Sequence, residues 1–198
     1  SGAEYKNTQT LLQSIHIHCQ KISSQLGVIF SSLSQMQNGK DSLTSLLNRR
    51  YLPVVLKHEV TLAMEHELPM TVAIVDIDHF KEINDNWGHA TGDKVLIEVA
   101  SRLMNFVSKR HQAWRLGGDE FAILLRDVHS EAEVKTLCTS LSSQFLEPFN
   151  LHNGHTATLS LSIGYALAWE HASAENLQEF ADQHMYRMKH RRIPQVQK

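Results

Sequence analysis

Two adjacent glycines are followed directly by two adjacent carboxylates in the run Arg115–Phe121, at Gly117, Gly118, Asp119 and Glu120. Apolar residues on both sides of this run predict two short strands joined by a tight turn. Glycine tolerates positive φ and allows a ligand to lie against the backbone. Two neighbouring carboxylates repel each other unless a cation lies between them, and Mg²⁺ prefers carboxylate and phosphate oxygens. The run therefore indicates a Mg²⁺-dependent phosphate-handling site, with a solvated acidic hairpin turn as the plain structural alternative.

A second acidic cluster, Asp76 and Asp78, follows the apolar, β-branched run Met70–Val75, which predicts a buried strand. Carboxylates at the end of a rigid strand are well placed to hold a metal ion. Lys81 comes three residues after Asp78, within reach of anionic phosphate oxygens. These residues add a second candidate half to the phosphate-handling site.

Asn84 and Asp93 are candidates for recognising a nucleotide base. An amide and a carboxylate complement the edge of guanine, which offers an acceptor at O6 and donors at N1 and N2. The structural alternative is a polar loop in which Asp93 is the N-cap of the next helix, and one residue could do both.

The elements that must position these residues alternate between helix and strand. A helix is predicted to start at Asp41–Thr44 and to run to about His66, with Pro53 near its start. The later predictions are a helix over 92–107, the acidic hairpin, a helix over 130–145, a strand over 156–168 and a helix over 174–190. This order predicts an α/β (α+β) sandwich with a mainly antiparallel central sheet.

The N-terminal segment has a different period. From Leu12 to Met36 apolar residues recur every three or four positions, which is a heptad pattern. It predicts a helix of about 30 residues, about 45 Å long, that ends near Gly39. Such a helix must cover its apolar stripe, either with a second copy in a homodimer or with the other helices of a larger bundle.

Composition narrows the class of protein. The 198 residues fit one domain plus an appendage, and a net charge of −2 argues against a nucleic-acid-binding or polybasic membrane surface. No apolar run reaches the roughly 18 residues of a membrane span, and no signal peptide is recognised. Two cysteines favour a reduced, cytoplasmic protein. Ser1-Gly2-Ala3 resembles a cloning remnant, so a fragment of a longer protein is expected.

Five separated motifs occur in an order and spacing that resemble the GGDEF family of diguanylate cyclases. They are Asp41-x-Leu-Thr44 with Asn48-Arg49-Arg50, Asp76-x-Asp-x-Phe-Lys81, Asn84-Asp85, Gly88-His89 with Gly92-Asp93, and Gly117-Gly-Asp-Glu-Phe121. The resemblance implies a fold similar to nucleotidyl cyclases and polymerase palm domains. It also implies three segments: a signalling or coiled-coil helix at 1–40, a catalytic domain at 41–192 and a tail at 193–198.

The resemblance further implies that two GTP are condensed into cyclic di-GMP and two pyrophosphates. Asp76, Asp119, Glu120 and the backbone carbonyl of Ile77 would then hold Mg²⁺ or Mn²⁺. Asp119, with Glu120 beside it, would accept the ribose 3′-hydroxyl proton. In the same way, Lys81 would stabilise the transition state, and Asn84 and Asp93 would recognise guanine. The backbone near His79 and Phe80, together with Lys189, would bind the triphosphate. Each domain would bind one GTP, so that two domains must face each other.

The chain departs from the family pattern at two places. Ser108 and His111 stand where an Arg-x-x-Asp product-inhibition motif is common, so that feedback through this motif is expected to be absent. Ile193 stands where a phosphate-binding arginine is usual, and Arg191 or Arg192 could substitute for it. Two alternatives to a cyclase therefore remain: a nucleotide-binding regulatory module without turnover, and a dimerisation domain alone.

One further likeness concerns the partners of the domain. The stretch Leu46–Pro53 is similar to cyclases attached to haem-globin oxygen sensors. This likeness implies an upstream sensor domain outside the present sequence.

Overall fold

A five-stranded sheet with helices on both faces forms the centre of the computed structural model, which describes residues 39–107, 111–168 and 173–192. The heptad segment Leu12–Met36, Ser108 and the tail 193–198 lie outside the described residues, as do the side chains of Arg191 and Arg192.

The elements follow each other in an order that mixes helices and strands. They are β1 (Leu47–Asn48), α1 (Leu52–His66), β2 (Met70–Ile77), α2 (Phe80–Trp87), α3 (His89–Val107), β3 (Gln112–Gly117), β4 (Glu120–Arg126), α4 (Glu131–Gln144), β5 (Phe149–Asn150), a 3₁₀ turn (His152–Gly154), β6 (Thr156–Ala157), β7 (Leu161–Leu167) and α5 (Ala174–Arg192). Among these described helices, none is long and apolar enough to span a membrane.

The sheet has the strand order β1-β3-β4-β2-β7. The pair β1 and β3 is parallel, whereas the other three pairs are antiparallel. This confirms the predicted α/β fold with a mainly antiparallel sheet. A separate two-stranded sheet of β5 and β6 was not predicted.

Strand β2 lies at the centre of the fold, and all eight of its residues are buried. Its side chains alternate between two apolar cores, as the period of a strand requires. Val75 and its neighbours on one face pack with α2, α3 and α4, whereas Ile74 and its neighbours on the other face pack with α1 and α5. Burial on both faces explains why the strand reads as a continuous apolar run.

The predicted start of the first helix is wrong. Asp41 does cap a turn, because its Oδ1 accepts bonds from the backbone N–H and the hydroxyl of Thr44 at 2.8 and 2.7 Å. The chain then enters β1, and α1 begins only at Leu52 with Pro53 in its first turn. Proline fits the first turn of a helix but disfavours helical backbone in the residue before it.

Other boundaries differ from the prediction in smaller ways. Strand β2 continues two residues beyond Val75, and the predicted strand over 156–168 is divided into β6 and β7. Helix α3 starts at His89, so that Asp93 lies inside the helix and the N-cap interpretation is wrong. Helix α2 occupies the stretch for which the sequence offers a polar loop as the structural alternative; Asn84, Asp85 and Asn86 among its eight residues are weak helix formers.

Candidate active site

Pairing between β2 and β4 brings the two acidic clusters together. Asp76 is the register partner of Glu120, and the backbone N–H of Ile77 donates to the carbonyl of Asp119 at 3.2 Å. Strand alternation sends Asp76 and Glu120 to the face covered by α1 and α5, because Ile74 and Ala122 belong to that core. The structure thus places the predicted metal ligands and the predicted proton acceptors at one end of the sheet.

Backbone conformation and one arginine shape the acidic turn. Gly117 has φ 146° and Gly118 has φ 54°, in the positive region that glycine adopts at no steric cost. Arg115 donates from Nε and Nη2 to the carbonyl of Gly118 at 3.2 and 2.9 Å. Its Nη1 donates to Asp41 at 3.0 Å. The turn that carries Asp119 and Glu120 is therefore tied to the turn at the start of the domain.

The electrostatics of the site are those of crowded carboxylates. Burial raises the pKa of Asp76 above its usual value, and the charges of Asp119 and Asp78 add to this, although the Lys189 hydrogen bond acts in the opposite direction. Burial also raises the pKa of Glu120, with further contributions from Asp76, Asp182 and Asp119. A site where like charges raise carboxyl pKa values in this way favours a bound cation.

Two charged residues change the pKa of Glu120, although the sequence predicts no site role for either of them. Asp182 on α5 raises the pKa of Glu120, whereas Arg49, just after β1, lowers it. Asp182 lies seven residues before Lys189, which is two helical turns, so that both lie on one face of α5. This spacing is a signal that could have marked Asp182 as a site residue.

Lys189 makes the closest contact of any cation with the predicted metal ligands among the described residues. Its Nζ lies 2.7 and 2.8 Å from the two carboxylate oxygens of Asp76. Burial by itself lowers the pKa of Lys189, but the hydrogen bond and charge of Asp76, followed by the charges of Asp119 and Asp78, raise it above its usual value overall. The lysine predicted to bind phosphate thus lies inside the site and carries a positive charge.

Asp78, the second carboxylate of the Asp-x-Asp pair, is held in place by two serines. The hydroxyls of Ser160 and Ser162 each donate to it at 2.6 Å. Neither serine is among the site residues that the sequence predicts. The alternation of serine and leucine from Leu159 to Ser162 is a signal that could have placed both hydroxyls on one face of a strand.

The predicted guanine-binding residues lie on the opposite face of the sheet, on α2 and α3. Helix α3 passes so close to Asn84 that a Cβ added at Gly92 would overlap Asn84 Oδ1. Asn84 therefore lies against the residue that precedes Asp93 in the chain. No sequence pattern predicts this approach of α3 to Asn84, and glycine at 92 is what permits it.

The remaining predicted site residues surround the start of α2. His79 adopts a left-handed backbone with φ 59°, and its Nδ1 lies 2.8 Å from Glu82 Oε1. Phe80 is buried in the core, whereas Lys81 is exposed. The side chain of Arg192 lies outside the described residues, so that its predicted role stays a prediction.

The carboxylates at this strand end fit a magnesium ion better than they fit a metal ion that is held by protein side chains alone. In the described part of the chain, no group of three or more His, Cys, Asp or Glu side chains is arranged to hold a metal. Asp76 and Asp119 instead offer two carboxylates at one strand end. Mg²⁺ is usually bound by one or two carboxylates together with substrate phosphates. The residues present therefore fit Mg²⁺ that is shared with a nucleotide.

Residues 38–193 match the family model of the diguanylate cyclase GGDEF domain. The chain belongs to the GGDEF family. It is 54% identical over 158 residues to the diguanylate cyclase DgcN of Escherichia coli, covering 79% of this chain and 38% of DgcN. It is 38% identical over 171 residues to the diguanylate cyclase DosC of the same species, covering 86% of this chain and 37% of DosC. The chain thus spans less than half the length of these relatives.

Solved structures support the same assignment. The GGDEF domain of TpbB from Pseudomonas aeruginosa superposes with a TM-score of 0.74 at 40% identity, covering 77% of this chain and 89% of that one. The GGDEF domain of DgcB from Caulobacter crescentus, solved in complex with c-di-GMP, gives a TM-score of 0.73 at 29% identity, covering 78% and 91%. The fold and the order of motifs thus agree with a GGDEF domain.

Proposed function

We propose that this chain is an active diguanylate cyclase that condenses two GTP into cyclic di-GMP and two pyrophosphates. The observation that carries the proposal is the junction of β2 and β4, which brings Asp76, Asp119 and Glu120 to one strand end with Lys189 among them. The names of the relatives and the c-di-GMP complex of DgcB support this choice of reaction.

The proposed role of each site residue depends on where it lies in the fold. Asp76 and Asp119, with the backbone carbonyl of Ile77 and with Glu120 nearby, would hold Mg²⁺ or Mn²⁺. When bound, the ion neutralises charge on the phosphates and lowers the pKa of the attacking hydroxyl. Asn84 and Asp93 bind guanine on the α2–α3 side of the sheet.

The start of α2 and two lysines bind the phosphates. The backbone of His79 and Phe80 lies directly after Asp78, where the strand end meets the helix. Lys81 on α2 and Lys189 on α5 supply positive charge from opposite faces of the sheet. Positive charge fixed beside the transferred phosphoryl group stabilises the charge that develops in the transition state.

Bond formation is a displacement at the α-phosphorus of GTP. The 3′-oxygen of one nucleotide forms the new bond, the bond to pyrophosphate breaks, and the hydroxyl proton passes to a carboxylate of the turn. Asp119 takes that proton in the role implied by family resemblance. Glu120 is the second candidate, because burial raises its pKa and makes it a stronger base.

Dimerisation follows from the symmetry of the product. Each domain offers one guanine site and one phosphate site, so that two domains with facing sites make the two bonds of the cyclic product. A homodimer held by the helix predicted for residues 1–40 would set this distance and rotation. An upstream sensor would then control activity by moving that helix.

A turnover assay across protein concentration tests the proposal. Purified protein with GTP and Mg²⁺ should form cyclic di-GMP and pyrophosphate, with specific activity that rises as the dimer fraction rises. Asp119→Ala and Glu120→Ala should abolish the product, whereas Glu65→Gln, which changes an exposed carboxylate on α1, should keep it. GTP binding without product in a dimeric sample would refute the proposal and favour a regulatory nucleotide-binding module.

A further inference from the structure

Asp76 has a burial that sets it apart from the other acidic side chains. It is 4% exposed, and no other charged side chain among the described residues is buried. A buried carboxylate is costly unless a cation or hydrogen-bond donors compensate it. Lys189 is that cation, and its ammonium contacts both oxygens of Asp76 at hydrogen-bond distance.

The position of Lys189 conflicts with binding of a metal ion alone. A divalent ion on Asp76 needs at least one of the two oxygens that the ammonium now contacts. If the ion bound there while Lys189 stayed in place, the ion and the ammonium would lie side by side in a largely buried site, where like charges repel strongly. Lys189 and a free metal ion are therefore competitors for Asp76.

Lys189 has a way to leave this position without movement of its helix. Helix α5 is closely packed on β7, because a Cβ at Gly164 would overlap the backbone of Ala181 and Met185. The Lys189 side chain is 37% exposed, and its ammonium lies at the end of a flexible four-carbon stem. A change of rotamer is therefore enough to move the ammonium. Such a move is favourable only if another anion receives the charge.

We propose that Lys189 is a built-in counter-ion that keeps free divalent metal out of the site, so that the metal enters together with a nucleoside triphosphate. The triphosphate is the anion that receives the Lys189 ammonium when the metal takes Asp76. Metal and nucleotide then strengthen each other's binding, and Lys189 is a positioning residue that carries part of this coupling. The inference rests on the proposed function for the identity of the nucleotide.

Binding of Mn²⁺ to nucleotide-free protein, followed by electron paramagnetic resonance at pH 8, tests the competition directly. Lys189→Met should bind Mn²⁺ at least about tenfold more tightly than the unaltered protein. Tenfold corresponds to about 1.4 kcal/mol, the lower end of what a hydrogen bond to a charged group contributes. Arg187→Met removes an exposed positive charge from the same helix without contact to Asp76, and should leave the affinity unchanged.

Two further variants make the result specific. Lys189→Arg keeps a cation opposite Asp76 and should still exclude Mn²⁺. Tighter Mn²⁺ binding by this variant than by the unaltered protein would contradict the proposal even if Lys189→Met fails to fold. The double change Lys189→Met with Asp76→Asn should abolish the gain. An affinity in Lys189→Met equal to or below that of the unaltered protein, or a gain that survives without Asp76, would overturn the proposal.

The coupling is measured with GTP that lacks its 3′-hydroxyl, which binds but cannot condense. In the unaltered protein this nucleotide should raise Mn²⁺ affinity. The factor should be about tenfold smaller in Lys189→Met, because the nucleotide-free variant already has the tenfold gain that comes from removing the ammonium, and by linkage Mn²⁺ should raise nucleotide affinity by the same factor in each protein. An equal factor in both proteins would contradict the inference. If the protein makes no cyclic di-GMP but shows this pattern of Mn²⁺ binding, the proposed function fails and the inference stands.

Discussion

Gly92→Ala should weaken GTP binding by displacing a side chain rather than by unfolding the domain. The added Cβ would overlap Asn84 Oδ1 and lie 3.1 Å from Asn84 Cγ and 3.2 Å from Phe80 Cζ. Asn84 is only partly buried and its amide is the end of a flexible side chain, so that the amide moves while the buried Phe80 ring stays. A shift of about 1 Å takes a hydrogen bond of about 2.9 Å beyond the distance at which it counts as one.

The magnitude follows from the number of hydrogen bonds lost. One or two bonds between the Asn84 amide and guanine, at about 1 kcal/mol each, give an increase of about 5- to 30-fold in the KM for GTP. The kcat should stay close to that of the unaltered protein, because Asp76 and Glu120 lie on the opposite face of the sheet. Alanine inside a helix gains about 0.5–1 kcal/mol over glycine, which offsets the strain, so that the free energy of unfolding should change by less than about 1 kcal/mol.

Initial rates over a range of GTP concentrations and denaturant unfolding measure the two effects. Ser101→Ala, on the exposed surface of the same helix, is the matched control and should leave KM unchanged. In an Asn84→Ala background the Gly92 substitution should have no further effect on KM, since the side chain it displaces is gone. Additive effects of the two changes, or a fall in kcat at constant KM, would refute this account.

Three further substitutions have defined outcomes. Arg115→Gln removes the bonds to Gly118 and Asp41, so that kcat should fall and the free energy of unfolding should decrease by about 2 kcal/mol in denaturant titrations; an unchanged kcat would contradict the role given to this link. Ser45→Gly relieves a residue with φ 60° and should raise the free energy of unfolding by about 0.5–1 kcal/mol, and a decrease would count against strain there. Glu120→Gln should abolish turnover yet stabilise the fold at pH 7–8, because the folded-state pKa of Glu120 is raised and its ionised form therefore costs folding free energy above that pKa. This advantage should shrink as the pH falls through the folded-state pKa of Glu120 and should be absent below the unfolded pKa. Thermal unfolding at a series of pH values would show a constant difference if the reasoning were wrong.

Local patterns in the sequence were sufficient for the two elements that carry the candidate site. The run of buried residues at Met70–Val75 and the glycine pair before Asp119 predicted β2 and the hairpin, because side-chain period and turn chemistry act over a few residues. Their alternation with helices predicted a mainly antiparallel sheet. Local patterns failed at the first helix. The cap signal at Asp41 predicts a helix start there, whereas the helix begins eleven residues later, with Pro53 in its first turn.

The contacts that give the site its chemistry depend on residues far apart in the chain. Lys189 lies 113 residues from Asp76, and Arg115 lies 74 residues from Asp41. The register of β2 against β4 decides that Asp76 faces Glu120, and the packing of α5 on β7 at Gly164 decides that Lys189 reaches Asp76. A shift of one residue in that register would turn each side chain to the other face of the sheet.

The sequence by itself determined which residues have side chains suited to a metal or a nucleotide, because the chemistry of a carboxylate, an amide or an ammonium belongs to the residue. It also determined the family, through motifs in a fixed order. Only the tertiary structure decided that the ammonium of Lys189 lies on the oxygens expected to bind the metal, and that Gly92 leaves the space in which Asn84 lies. Distances and burial come from the packing of strands and helices, and they decide which of the possible partners meet.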